Sequence, residues 1–164
     1  MSRLFALALT AALVAAPAYA GDYKLGALTI RQPWSRPAQA GMNGVGFMTI
    51  VNAGKTPVTL KGAETPAAGK VEIHQSSMAG GIMSMRRADD GVAVPAGGQV
   101  AFAPGGYHFM LLGLKAAQGP GQKIPVTLIF DNGRKAQVEL TVQLAPPANG
   151  QAPKQSMPGM EHQH

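Results

Sequence analysis

Between Val71 and Leu114 the chain places His74, Met78, Met83, Met85, His108 and Met110, two of its four histidines and four of its nine methionines. His108 and Met110 stand two apart, so on an extended strand their imidazole and thioether share one face while Phe109 and Leu111 take the other. Met83 and Met85 repeat that spacing, and a strand there offers one or two further thioethers. His74 brings a second imidazole. Uncharged soft and borderline donors of this kind suit Cu(I), and they give calcium or magnesium none of the oxygen ligands those ions require. The other two histidines, His162 and His164, lie at the far end of the chain with Met157 and Met160, so every histidine has methionine nearby.

Composition narrows the chemistry further. The chain contains no cysteine, which excludes thiolate blue-copper sites, thiolate zinc sites, iron–sulfur clusters and covalent c-type haem attachment. A copper site built without thiolate cannot be lost to disulfide formation and suits an oxidising compartment. Asp89-Asp90-Gly91 reads as a turn rather than a calcium loop, because no further oxygen donors follow at the right spacing. Neither a nucleophile motif nor paired carboxylates appear, so the chain does not read as an enzyme. Its formal charge is +6, but the basic residues are scattered, unlike the gathered basic face of a nucleic-acid binder. Two competing readings stand beside a copper carrier: a β-module whose histidines do no chemistry, and a haem carrier with His and Met axial ligands.

The pattern His74, ten residues, Met85, twenty-two residues, His108-x-Met110, together with the run from Pro104 to Leu114, resembles the bacterial periplasmic copper chaperone family PCuAC. The resemblance covers roughly residues 25–144. It implies a cupredoxin-like Greek-key β-barrel or sandwich that lacks the cupredoxin cysteine. It also implies Cu(I) bound through His74, Met85, His108 and Met110. From the residues alone, Met83 or Met78 could stand in for Met85 as the sulfur ligand. The partner it implies is the CuA subunit of cytochrome c oxidase or another assembly chaperone.

The remaining chain must position these donors. Gly 21 and Pro 13 in 164 residues favour many turns, and short alternating segments predict an all-β domain of seven to nine strands. Strands are expected at Leu28–Gln32, Val45–Val51, Val58–Ala63, Val71–Gln75, Ile82–Arg86, Val92–Val94, Val100–Ala103, Ile124–Phe130 and Lys135–Leu144. Ser76–Gly81 reads as a flexible connection, and Asp131-Asn132-Gly133 as a hairpin turn with an Asn-Gly signal. Trp34, in a proline-punctuated segment, is expected to plug the core or a barrel end, and Met42 and Met48 to fill core space.

Residues 1–20 read as a signal peptide: Arg3 precedes an apolar run from Leu4 to Ala16, and small residues lead to Ala20, where cleavage is expected. The run is shorter than the ~20 residues a spanning helix needs, so the mature chain is expected in the periplasm as a monomer with no stable membrane insertion. Residues 21–144 form the copper-binding domain in this reading. Residues 145–164 change to Pro, Ala, Gln, Asn and Gly and predict a disordered tail. Its His162, His164, Met157 and Met160 make a second candidate copper site, and such flexible imidazoles accept Cu(II). A coil of that length reaches roughly 25 Å, far enough to return to the folded domain.

Overall fold

In the computed structural model, which describes residues 21–147, every regular element is a β-strand. In chain order these are β1 (Tyr23–Leu25), β2 (Leu28–Ser35), β3 (Gly44–Asn52), β4 (Val58–Glu64), β5 (Ala68–Ala79) and β6 (Ile82–Arg87). They continue as β7 (Val92–Val94), β8 (Gln99–Phe102), β9 (Tyr107–Leu114), β10 (Lys123–Phe130) and β11 (Lys135–Val142). All join one eleven-stranded sheet in the order β6-β5-β9-β8-β3-β2-β11-β10-β4-β7, with β1 on β2 and a further pairing of β9 with β3. Among the described residues no helix is long and apolar enough to cross a membrane.

Alternation dictates the core. In β11, Ala136, Val138, Leu140 and Val142 are buried while the residues between them face outward, and in β10 Ile124, Val126, Leu128 and Phe130 do the same. These side chains pack with Leu28, Ile30, Ile50, Leu60, Ile73, Phe102, Phe109 and Leu111 in a single cluster. Each fully buried aliphatic or phenyl group contributes on the order of 1.5–3 kcal/mol of apolar burial. At Gly46 the strands come too close for a side chain: a Cβ there would lie 2.9 Å from Leu140 Cδ1 and 3.3 Å from Phe109 Cβ. Gly46 is the partner of Phe109 in the β3–β9 ladder, so its missing side chain seats β9, the strand carrying His108 and Met110, directly on the core.

The structure corrects several details. There are eleven strands, not seven to nine, and Ser76–Ala79 is not a loose connection but the end of the twelve-residue strand β5, with only Gly80 and Gly81 in the turn to β6. Both glycines have positive φ (58° and 76°), which is the conformation that lets so short a turn close. Trp34 is buried, yet not in the main core. An extra residue between Arg31 and Trp34 shifts the β2–β3 register, with Gln32 at φ 47°, and turns Trp34 onto the outer face opposite Phe47. Met48 is buried as expected, whereas Met42 is 61% exposed and fills no core space.

Candidate metal centre

β5 and β9 are antiparallel neighbours that set His74 opposite His108 and Glu72 opposite Met110. On its other side β5 pairs with β6, with Arg87 opposite His74, Met85 opposite Ser76 and Met83 opposite Met78. Because side chains alternate, Glu72, His74, Met78, Met83, Met85, His108 and Met110 all stand on one face, while Ile73, Phe109 and Leu111 enter the core from the reverse. The two imidazole centroids are 5.9 Å apart in an edge-to-face arrangement. Met110 and Met85 each lie one diagonal step from His74, on opposite sides of it, a separation of roughly 7–8 Å between backbones that long side chains span.

The wall of this site is apolar. Val45 pairs with Met110, and Phe47, two residues along β3, faces the same way and packs against Trp34 in a tilted arrangement with ring centroids 4.7 Å apart. The Arg36 guanidinium lies over both rings, 6.0 and 5.8 Å from their centroids. His108 is 5% exposed, Met110 is half-buried and the His74 side chain is 18% exposed, while Met85 at 50% forms the outer rim.

Hydrogen bonds fix which nitrogen of each imidazole is left over. Ala103-Pro104-Gly105-Gly106 closes a turn through the Gly106 N–H to the Ala103 carbonyl (3.0 Å), with proline second and Gly105 at φ 86° third, the arrangement of a type II turn. The Gly106 carbonyl then accepts from the Ser76 N–H at 3.0 Å and from His108 Nδ1 at 3.1 Å. A carbonyl only accepts, so His108 Nδ1 carries the hydrogen, and in the neutral ring Nε2 is the nitrogen with the lone pair. His74 Nε2 lies 2.9 Å from Glu72 Oε2. An ionised carboxylate also only accepts, so here Nε2 is the protonated nitrogen, and in the neutral ring Nδ1 is the one with the lone pair. That Nδ1 is buried and has no hydrogen-bond partner among the described residues.

Glu72 is ionised for clear reasons. Its carboxylate receives Lys70 Nζ at 2.7 Å, His74 Nε2 at 2.9 Å and Arg87 at 3.1 Å. The Lys70 hydrogen bond first and the His74 bond second, against partial burial and with Arg87 adding to them, hold the carboxyl down at about 2. Arg87 in turn is held more firmly protonated, by Asp89 first and Glu72 second. A carboxylate that orients an imidazole from behind is the usual companion of a histidine metal ligand and raises its basicity.

The sequence-predicted residues therefore divide into three groups. His74, Met85, His108 and Met110 share one face around the paired imidazoles, and Met78 and Met83 lie on the same face farther out. His162, His164, Met157 and Met160 fall outside the described residues, as do residues 1–20. Glu72 and the Gly106 carbonyl were not anticipated. The signal for Glu72 was available, since it stands two residues from His74 and so on the same strand face. Among the described residues no three His, Asp or Glu side chains gather as a hard-metal site.

Residues 28–142 match the family described as "Putative lipoprotein LpqE-like". The chain belongs to this family, of the PCuAC type. The "Putative lipoprotein Lxx21020" of Leifsonia xyli subsp. xyli is 36% identical over 114 residues, covering 70% of this chain and 68% of its own. The copper-bound PCuAC domain from PmoF2 superposes with a TM-score of 0.64 at 25% identity, over 76% of this chain and 99% of that one. The Cu(I) form of DR1885 from Deinococcus radiodurans matches with a TM-score of 0.55 at 27% identity, over 70% of this chain and 78% of that one. The eleven strands of this PCuAC chain are thus an all-β, cupredoxin-like fold made without cysteine.

Proposed function

We propose that this PCuAC chain is a copper chaperone of the bacterial periplasm that holds Cu(I) through His74, Met85, His108 and Met110. It delivers the ion to the CuA centre of cytochrome c oxidase or to one of that enzyme's assembly factors. The observation that carries this reading is the complementary fixing of two facing imidazoles. Each has one nitrogen engaged as a donor, to Glu72 or to the Gly106 carbonyl, and each keeps one lone pair. A buried nitrogen left without a partner costs about 1–3 kcal/mol, and a bound metal ion would relieve that cost. The thioethers of Met110 and Met85 on the flanks restrict the ion to a soft one. Copper in two relatives' structures supports the same cargo.

Carrier chemistry fits this donor set. Thioethers do not titrate and the imidazoles already have their tautomers set, so uptake by neutral imidazoles displaces no proton and release needs no reprotonation. The half-exposed Met85 gives an acceptor a ligand that can be exchanged from outside. Export fits the leader-like residues 1–20 and the lipoprotein description of the family, although these 164 residues contain no cysteine to carry a lipid.

Competition against a Cu(I) chelator tests the centre. The parent should hold one tightly bound ion, and His108→Ala or Met110→Leu should weaken it by more than the 10–100-fold typical of losing an outer-shell partner; unchanged affinity in both would overturn the site. The tail supplies a separate test. Truncation after Leu144 should leave Cu(I) affinity intact and remove Cu(II) uptake, and retention of Cu(II) by the truncated chain would exclude His162, His164, Met157 and Met160 as its site.

A further inference from the structure

Of the exposed large apolar side chains, Met78 (66%), Met83 (63%) and Met85 (50%) lie on a single hairpin. Met78 and Met83 are direct cross-strand partners, and Met85 is two residues along β6 from Met83, opposite Ser76. All three point to the face that carries His74 and His108. Partners in direct register have Cβ atoms about 4.5–5.5 Å apart, and successive same-face residues on a strand are separated by roughly 6.6 Å. Flexible thioethers on such positions reach a common ion. Ile82, also exposed, is paired with Ala79 and faces the other way. Leucine or isoleucine would serve a sheet face or an apolar docking patch equally well, and methionine has no advantage as a strand former. What methionine alone among the apolar residues adds is a soft lone pair.

We propose that Met78 and Met83 form a second, weaker soft-ion site at the end of the hairpin. Met85 is the rung shared between it and the imidazole centre, so that Cu(I) enters and leaves the buried site along a ladder of thioethers. The inference rests on the imidazole centre being the Cu(I) site. Each step is a ligand exchange: one sulfur lone pair adds to the ion before the trailing donor leaves. The ion stays monovalent throughout, and neither a proton nor an electron moves. Every residue of β6 is exposed, so the outer rung is open to an incoming donor, whereas His108 is not.

The test uses the full mature chain and its Met78→Leu/Met83→Leu variant, which keeps apolar bulk and removes only sulfur. With one equivalent of Cu(I) bound, transfer to an excess of a bidentate Cu(I) chelator should slow about tenfold in the variant, the effect of a modestly higher exchange barrier, while equilibrium affinity changes less than twofold. In a titration with Ag(I), the second equivalent should shift the methyl resonances of Met78 and Met83 in the parent. Equal transfer rates in parent and variant, or second-equivalent shifts confined to other methionines, would overturn the ladder. His108→Ala separates the two claims. If it fails to weaken tight binding, the imidazole centre is wrong. If it weakens tight binding while Met78 and Met83 still respond to Ag(I), the outer site stands on its own.

Discussion

Two hairpins of this molecule are built from the same ladder and do opposite things. β10–β11 pairs seven residues deep, from Lys123 with Thr141 to Ile129 with Lys135, and sends every second side chain into the core. β5–β6 pairs six residues, from His74 with Arg87 to Ala79 with Ile82, and beyond Ser76 buries nothing. A β-ladder therefore needs apolar burial to be architecture, and a stretch released from that duty can carry chemistry on its side chains. Methionine marks the second case: β10 and β11 contain none, and the β5–β6 hairpin holds three.

That contrast is open to direct attack. Leu140→Ala, in a site with no exposure, should lower unfolding free energy by about 2–5 kcal/mol, whereas Met83→Ala should stay within about 0.5 kcal/mol. Urea denaturation of both reads the difference, and equal losses would erase it. Glu72→Gln sharpens the functional side: it keeps the shape of the side chain but weakens the orienter of His74. Cu(I) affinity should then fall by about 10–100-fold, as measured by chelator competition at neutral pH, alongside a modest loss of stability read by urea denaturation on the same preparations.

The smallest effects separate the hairpins by pH. The Glu72 carboxyl is lowered to about 2 in the fold, so its contribution to stability is present above the unfolded carboxyl value of about 4.3 and is lost as pH falls through about 2. Lys123 in β10 is raised, chiefly by its hydrogen bond from Nζ to Glu139 at 3.0 Å. Its contribution is complete below the unfolded lysine value of about 10.4 and is lost as pH rises through the higher folded one. Stability differences between parent and Glu72→Gln should therefore vanish at the acid end, and those between parent and Lys123→Gln at the alkaline end.

Much of this was legible in the sequence because alternation is a local property. Val138, Leu140 and Val142 declare their burial by period alone, and His108-x-Met110 its shared face. The turn at Asp131-Asn132-Gly133 was legible in place but not in kind. The Gly133 N–H bonds to the Phe130 carbonyl at 3.0 Å and only Gly133 has positive φ, 73°, so this is a three-residue loop rather than a two-residue turn with two left-handed positions. What the sequence hides is non-local. The extra residue before Trp34 that turns it onto the outer face depends on the pairing of β2 with β3. The facing of His74 and His108 depends on β5 and β9 being neighbours, with thirty-three residues between the two histidines, a register set by the whole core. Met42 failed for a related reason: a residue's hydrophobicity does not say whether any strand lies opposite it.

The Gly106 carbonyl oxygen, finally, serves two masters: it clasps the ring of one histidine and the backbone of the strand that bears the other. Rotation of the His108 ring and detachment of β5 at Ser76 consequently draw on a single anchoring atom. Orientation of the His108 ring and integrity of the adjoining strand are in this molecule one property; if the two histidines hold the ion as proposed, whatever loosens β5 there also loosens its hold.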